Sequence, residues 1–308
     1  MRIFALAVFV ALAVAAGDAV AQSTPVTATE ADPAWRTDLA AWRKRADDGL
    51  RRERGWLSIT GRWELEAGAN TIGAGPASRV KLSDELAPAS LGTVHVANGK
   101  AKLVLSPGQT MQAIEKGALK EAFTERELLA GRDNIEWVTS GRLSLQFVRR
   151  GDGSFVMRAA DRDAPIRTTF PGRTWYEPRA AYRVPARFVP KPGAKVPIVN
   201  VRGEVSEEAV AGELEFSLGG RTLRLDALDD DGNLFVIFRD ATSGGTTYPP
   251  GRFLYLAKPA DGRWVIDFNR AYNPPCAFSA YTTCPLPPPQ NWLDVAIPAG
   301  ERYAERKS

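Results

Sequence analysis

Hydrophobic positions near the start of the chain recur at steps of three and four residues and predict one amphipathic helix. The apolar stripe consists of Trp35, Leu39, Trp42, Ala46 and Leu50. This is the period of an α-helix with one buried face. Asp32 is a suitable N-cap, Pro33 suits the first helical position, and Gly55 ends the pattern. We expect the stripe to pack against a β-sheet.

From residue 56 onward the apolar period changes to two, which predicts short β-strands separated by turns. Candidate strands in the first half are 56–60, 62–66, 80–82, 93–97, 102–105 and 142–148. Candidate strands in the second half are 196–201, 204–206, 213–218, 222–226, 234–239, 253–256 and 264–268. The Asn98-Gly99 and Gly219-Gly220 pairs predict tight hairpins. We therefore expect an all-β, mainly antiparallel protein with two sandwich-like or barrel-like units.

The beginning of the chain has the pattern of a secretory signal peptide. Arg2 provides a positive charge, residues 3–16 are apolar but too short to span a bilayer, and residues 19–21 offer a small-x-small cleavage site. We expect cleavage before Gln22 and a periplasmic or secreted mature protein without a transmembrane segment. An uncleaved membrane anchor is the alternative.

The chain divides into four predicted segments. Residues 1–21 are the signal peptide, residues 22–31 are a disordered polar lead, residues 32–172 are the helix with the first β unit, and residues 173–308 are the second β unit. The proline-rich, basic stretch 176–195 is interpreted as the connector between the units. The net charge of +4 is too small and too scattered to indicate nucleic acid as a partner.

Both cysteines, Cys276 and Cys284, lie in the second unit between flanking prolines. In an oxidising compartment this spacing predicts a disulfide that holds a loop. A metal site is disfavoured because no further cysteine or histidine is nearby, and the one histidine, His95, lies in the first unit. We find no nucleotide or cofactor motif in a strand–turn–helix context, so no cofactor is expected.

Polar residues collect where three consecutive strands of the second unit would meet in a meander. In that arrangement Arg252 lies opposite Asn269 and beside Asp267, and Asp240 reaches the same end of the sheet. Together with the disulfide loop they would form a rigid, polar rim. The candidate ligand-binding residues are Asp240, Thr242, Tyr248, Arg252, Asp267, Asn269, Tyr272 and Asn273.

Two functions are compatible with this rim. The first is binding of a polar small molecule or glycan at the rim of the C-terminal β unit. The alternative is a histidine-independent hydrolase that uses Asp240 and Asp267 as a carboxylate pair. Binding is favoured because Arg252 would keep Asp267 ionised without making Asp240 a good acid. A purely structural network of the same residues is a third interpretation, and the sequence leaves open whether the protein is an enzyme.

Residues 65–73 resemble the opening hairpin of a forkhead-associated sandwich. The resemblance covers about one hairpin and implies a related strand layout. Ala74 stands where that family has a phosphate-gripping arginine, and Ser90 and His95 are too far apart for its Ser-x-x-His motif. Phosphopeptide binding is therefore not implied.

A longer set of segments resembles the uncharacterised exported-protein family DUF1684. These segments are residues 55–57, 68–73, 238–244, 247–248, 251–254, 267–269, 273–276, 284–288, 291 and 299–301. The resemblance spans most of the mature chain and implies a shared fold. It implies no activity, because the family has no assigned function.

Overall fold

The computed structural model describes residues 32–128 and 135–304. The predicted signal peptide and polar lead, residues 1–31, lie outside the described residues. Within these two ranges the chain is mostly antiparallel β-structure with few helices, which confirms the predicted all-β class. No helix in the same ranges is long and apolar enough to cross a membrane.

The predicted helix is present as α1, Pro33–Leu50. Asp32 caps it, since its carboxylate accepts hydrogen bonds from the backbone N–H groups of Ala34 and Trp35 at 3.0 and 3.2 Å. Trp35 and Leu39 of the predicted stripe are buried. The capping residue and the apolar period together explain where the helix begins and which face it buries.

The first β unit is a sandwich of two sheets. Its strands are β1 (Ile59–Leu65), β2 (Gly68–Gly73), β3 (Val80–Lys81), β4 (Gly92–Ala97), β5 (Lys100–Leu105), β6 (Met111–Glu115), β7 (Ala118–Phe123), β8 (Glu125–Leu128), β9 (Ile135–Ser140), β10 (Leu143–Arg149) and β11 (Phe155–Asp161). One sheet has the order β1-β11-β10-β9-β6-β7, and the other has the order β3-β2-β4-β5-β8. Both sheets contribute to one core, in which Leu103 and Phe147 are fully buried.

Glycines in this unit explain two of its local features. Asn98 and Gly99 join β4 to β5 with φ angles of 52° and 67°, as the predicted hairpin requires. At Gly73, in the forkhead-like hairpin, a Cβ atom would lie 2.4 Å from the backbone oxygen of Ala89. A side chain there would collide with backbone, so the close approach requires glycine.

A short helix, α2 (Pro165–Thr168), leads to the second β unit. The strands of this unit are β12 (Arg183–Pro190), β13 (Lys195–Val199), β14 (Val205–Leu218), β15 (Arg221–Asp230), β16 (Asn233–Phe238), β17 (Arg252–Leu256) and β18 (Trp264–Asp267). They form a nearly closed, barrel-like sheet in the order β17-β16-β15-β14-β12-β18, with β13 added to β14. Leu214, Phe238 and Phe268 are fully buried in its interior.

The predicted connector over residues 176–195 is wrong, because β12 and the start of β13 occupy much of it. Prolines are tolerated in β12 because its first half pairs with β18 and its second half pairs with β14. Pro185 lies opposite Val265 of β18 and before the β14 pairing begins, and Pro190 lies at the strand end. Each proline therefore sits at an edge or an end of the ladder, where a missing N–H costs little.

The predicted meander of the last three strands is right in its first pairing and wrong in its second. β17 pairs with β16 and β18 pairs with β12, so the two strands that follow each other in sequence do not pair. Arg252 therefore lies opposite Phe238, and Asp267 lies opposite Arg183. The predicted pairing of Arg252 with Asn269 does not occur. We call the gap between the β17 and β18 edges the seam.

Helix α1 covers the seam of the second unit, although it precedes the first unit in the chain. The indole Nε1 of Trp35 donates a hydrogen bond of 2.8 Å to Oδ2 of Asp267 at the end of β18. The rings of Trp42 and Tyr272 meet edge to face, with centroids 6.2 Å apart. The guanidinium of Arg43 donates to the backbone oxygen of Tyr176 at 3.1 Å. The helix therefore packs on the barrel at the seam.

The predicted disulfide between Cys276 and Cys284 is present. Cys284 is buried with Ile237 and Phe253 in a cluster on the outer side of the barrel. The loop also reaches the first unit, because the backbone oxygen of Tyr281 accepts a hydrogen bond of 3.1 Å from Arg158 of β11. The disulfide loop thus contacts both β units.

We expect Trp35→Phe to reduce the free energy of unfolding by about 1–3 kcal/mol, because it removes the indole donor from a buried carboxylate. Trp292→Phe is the control, since Trp292 is 56% exposed, and it should cost less than about 1 kcal/mol. Urea denaturation of both variants measures the difference. Equal losses would show that α1 is not anchored through the Trp35–Asp267 hydrogen bond.

Candidate functional site

The eight predicted ligand-binding residues do not form one rim. Asp240, Thr242 and Arg252 lie in a buried network at one end of the barrel. Asp267 and Tyr272 lie at the seam beneath α1. The other three, Tyr248, Asn269 and Asn273, have partners outside the first network, and each is described below.

Arg252 is the centre of the buried network. Its side chain and that of Asp240 are both 0% exposed, and Nη2 of the arginine lies 2.7 Å from Oδ2 of the aspartate. The guanidinium also donates to the backbone oxygens of Ile297 and Ala299. Asp240 in turn accepts the backbone N–H of Ile297 at 3.1 Å. The pair therefore holds the C-terminal segment against the barrel.

This arrangement corrects the predicted ion pair of Arg252 with Asp267. The partner of Arg252 is Asp240 instead, because the register of β17 places the guanidinium inside the end of the barrel. The carboxylate of Asp240 is sealed from solvent, while that of Asp267 lies at the seam with different partners. In the described part of the chain the two carboxylates share no hydrogen-bonding group, and the hydrolase alternative stays a prediction.

Thr242 and Tyr248 close the same end of the barrel. The hydroxyl of Thr242 donates to Oδ1 of Asp240 at 2.6 Å and lies 2.8 Å from the hydroxyl of Thr247. The ring of Tyr248 packs edge to face on Tyr303, with centroids 4.9 Å apart. Burial raises the pKa of the Tyr248 phenol. These contacts support the turn after β16.

Asp267 and Asn269 connect the seam to the segment that precedes β12. Besides Trp35, Asp267 accepts hydrogen bonds from the backbone N–H and the side-chain amide of Asn269 at 3.1 and 2.9 Å. The amide oxygen of Asn269 accepts the backbone N–H of Arg179 at 2.9 Å. Asn269 is fully buried. Its hydrogen bonds therefore link the end of β18 to the segment that precedes β12.

Tyr272 lies at the edge of β17. Its backbone N–H and oxygen exchange hydrogen bonds of 2.9 Å with Phe253, which extends the β17 edge by one pair. The rings of these two residues are perpendicular, with centroids 5.9 Å apart. Burial raises the pKa of the Tyr272 phenol to about 12. The phenol is therefore a neutral hydrogen-bonding group at ordinary pH.

Asn273 belongs to a second buried charge network. Its backbone N–H donates to Oε2 of Glu301 at 2.7 Å, and its side-chain amide donates to the backbone oxygen of Arg302 at 3.0 Å. Arg173 donates to the same carboxylate oxygen of Glu301. Burial raises the pKa of Glu301 to about 7, and Arg173 opposes that effect.

A cleft of about 980 Å³ lies at the seam, between α1 and the edges of β17 and β18. Its lining includes Trp35, Trp42, Arg45, Arg183, Asp267 and Tyr272. We call it the seam cleft. Its size and its mixture of aromatic and charged side chains are those of a small-molecule site.

The carboxylates of the seam cleft already have partners. Asp32 caps α1, Asp38 pairs with Arg270, and Asp267 accepts the indole N–H of Trp35. Each negative charge in the lining is therefore compensated by groups of the protein itself. The cleft has no unmet requirement for a cation.

The arginines of the seam cleft are only partly compensated. Arg173, Arg263 and Arg270 each form an ion pair with a carboxylate. Arg45 and Arg183 line the same cleft, and neither forms an ion pair or side-chain hydrogen bond within the described part of the chain. Two guanidinium groups are therefore available to an anion, which arginine binds in a fixed, bidentate geometry.

Sequence reasoning missed Trp35, Arg45 and Arg183 as parts of this site. The spacing of Trp35 in the apolar stripe indicates packing, and the composition of the basic stretch that contains Arg183 is typical of a connector. No local pattern links α1 to β18, because 232 residues separate Trp35 from Asp267. Among the described residues no group of histidine, cysteine, aspartate and glutamate side chains could hold a metal ion.

Comparison with known proteins relates part of the chain to a family. Residues 168–302 match the family described as a protein of unknown function, DUF1684. An uncharacterised protein of Haloarcula marismortui, solved in solution by NMR, is 35% identical over a match that covers 44% of this chain and 78% of that chain, with a TM-score of 0.37. No curated protein matches the chain.

We expect Arg252→Ala to reduce the free energy of unfolding by about 3–5 kcal/mol, because it leaves the Asp240 carboxylate buried and unpaired. Arg187→Ala is the control, since the Arg187 side chain is 66% exposed and pairs with Glu215 at the surface. It should cost less than about 1 kcal/mol. Thermal and urea unfolding measure both. A small loss for Arg252→Ala would mean that the pair does not hold the C-terminal segment.

Glu301 should make stability depend on pH. Because its folded pKa of about 7 lies above the ordinary value of 4.5, the folded state binds the proton more tightly between these pH values. The free energy of unfolding of the wild type, relative to Glu301→Gln, should therefore fall by about 1–3 kcal/mol as pH rises through this window. Urea denaturation at several pH values measures it. A pH-independent difference would contradict the raised pKa.

Proposed function

We propose that this protein binds a small polar molecule with an anionic group, such as an acidic sugar or a small carboxylic acid, in the seam cleft. The proposal includes export, with binding outside the cytoplasm after removal of the signal peptide. It keeps a polar ligand on the second β unit and moves the site from the expected rim to the seam.

The observation that carries the proposal is the charge balance of the cleft lining. Its three carboxylates are compensated internally, whereas the guanidiniums of Arg45 and Arg183 have no partner in the described ranges. Arg183 is partly buried, and its guanidinium has no carboxylate partner in the described ranges. A carboxylate or phosphate group on a ligand supplies that charge.

Aromatic rings favour an organic ligand over a simple inorganic anion. Trp42 is held edge-on by Trp175 and Tyr272, with ring centroids 5.5 and 6.2 Å away. The Arg270 guanidinium lies over the Trp42 ring, 5.8 Å from its centroid. The rest of this fixed ring offers apolar contact with little loss of side-chain entropy on binding. Sugar rings and short carbon chains are suited to this surface.

We expect wild-type protein to bind members of a panel of small carboxylic acids, uronic acids and sugar phosphates, as measured by isothermal titration calorimetry. Arg183→Gln should weaken binding about tenfold or more, because it removes a charge-assisted hydrogen bond. Arg187→Gln, on the same strand but outside the cleft lining, should bind as the wild type does. Binding that is absent, or equally strong in Arg183→Gln, contradicts the proposal.

A further inference from the structure

A second cavity, of about 580 Å³, lies on the outer side of the barrel. Its lining includes Glu208, Asp229, Asp230, Phe235, Tyr255 and Tyr272. We call it the acidic pocket. None of its lining residues is a lysine or an arginine, so its charge is opposite to that of the seam cleft.

The carboxylates of the acidic pocket have neutral partners. Glu208 accepts the hydroxyl of Ser206 at 2.7 Å, and Asp229 accepts the backbone N–H of Gly232 at 3.1 Å. Asp230 interacts with the hydroxyl of Tyr255. Within the described ranges none of the three forms an ion pair. The uncompensated groups here are anions, so the pocket favours a cation.

Aromatic rings give this pocket a second feature that favours an organic cation. Phe235 packs on Phe253 with centroids 4.9 Å apart, and Phe253 packs on Tyr272, so the rings are held in place. An ammonium group beside such ring faces is attracted by their quadrupoles, and the nearby carboxylates add to that attraction. A metal ion would not use the rings.

The two cavities meet at Tyr255 and Tyr272, which line both of them. Tyr255 and Tyr272 therefore form the boundary between the two charged regions. A ligand that passes over the two tyrosines would reach unpaired guanidiniums at one end and unpaired carboxylates at the other.

We propose that the ligand of the seam cleft is a zwitterion, whose carboxylate binds at Arg45 and Arg183 and whose ammonium group lies in the acidic pocket. This inference rests on the proposed function, because it uses the same anion site. It adds a second charge to the predicted ligand. It also requires a ligand long enough to reach across Tyr255 and Tyr272.

The test uses matched probes that differ only in their end groups. A chain-length series of ω-amino acids, from γ-aminobutyrate to ω-aminocaprylate, is compared with the dicarboxylates and diamines of equal length, by calorimetry on the mature protein. We expect one length of ω-amino acid to bind about tenfold or more tightly than its dicarboxylate and its diamine, since both end groups are then compensated.

Variants assign each end of the probe to its cavity. Asp230→Asn and Glu208→Gln keep their local hydrogen bonds and should weaken the ω-amino acid and the diamine, but not the dicarboxylate. Arg183→Gln should weaken the ω-amino acid and the dicarboxylate, but not the diamine. Glu207→Gln is the control, because neighbouring residues on a strand point to opposite faces and Glu207 does not line the pocket.

The outcomes separate this inference from the proposed function. If dicarboxylates bind in an Arg183-dependent way and ω-amino acids bind no more tightly than they do, the zwitterion proposal is wrong and the proposed anion site stands. If diamines bind as tightly as ω-amino acids and Arg183→Gln has no effect, the acidic pocket is a separate cation site and the zwitterion is also wrong. If no carboxylate probe binds, the proposed function and this inference both fail.

Discussion

The unpaired edges of β17 and β18 are the constraint on which the rest of the second unit depends. An open sheet edge exposes backbone donors and acceptors and invites association with other chains. Here α1 covers the seam through Trp35 and Trp42, and Tyr272 extends the edge of β17. A helix is too wide to replace a strand, so covering the edges leaves space between them. The seam cleft is that space.

Two buried charge pairs hold the C-terminal segment to the barrel. Arg252 with Asp240, and Arg173 with Glu301, each contact backbone groups as well as each other. Such pairs are costly to bury and costly to break, so they fix one arrangement of the chain more than they add net stability. Arg252 and Asp240, which resemble parts of a ligand site in the sequence, therefore contribute to the architecture. The unpaired arginines at the seam are the basis of the binding proposal.

Local signals predicted α1, the hairpins and most strands of the second unit. β11 was missed because all seven of its residues are buried, and β7 was missed because five of its six residues are exposed, so neither alternates. The sequence predicts that β17 pairs with β18 because strands that are neighbours in sequence usually pair. Asp267 and Tyr272 are candidates from the sequence, and both line the seam cleft. Their partners on α1 and β12 could not be predicted, since long-range docking leaves no local pattern.

The position of α1 at the start of the chain has a consequence for the order of assembly. Chains emerge from the ribosome and from secretion channels with the N-terminal end first. The contact of α1 with Asp267 spans 232 residues, so the helix is synthesised well before the strand end on which it packs. Until β18 emerges, the apolar face of the helix has no surface to pack on. Residues 168–302, which match the family model, do not include α1. A chain limited to that segment would leave the seam uncovered.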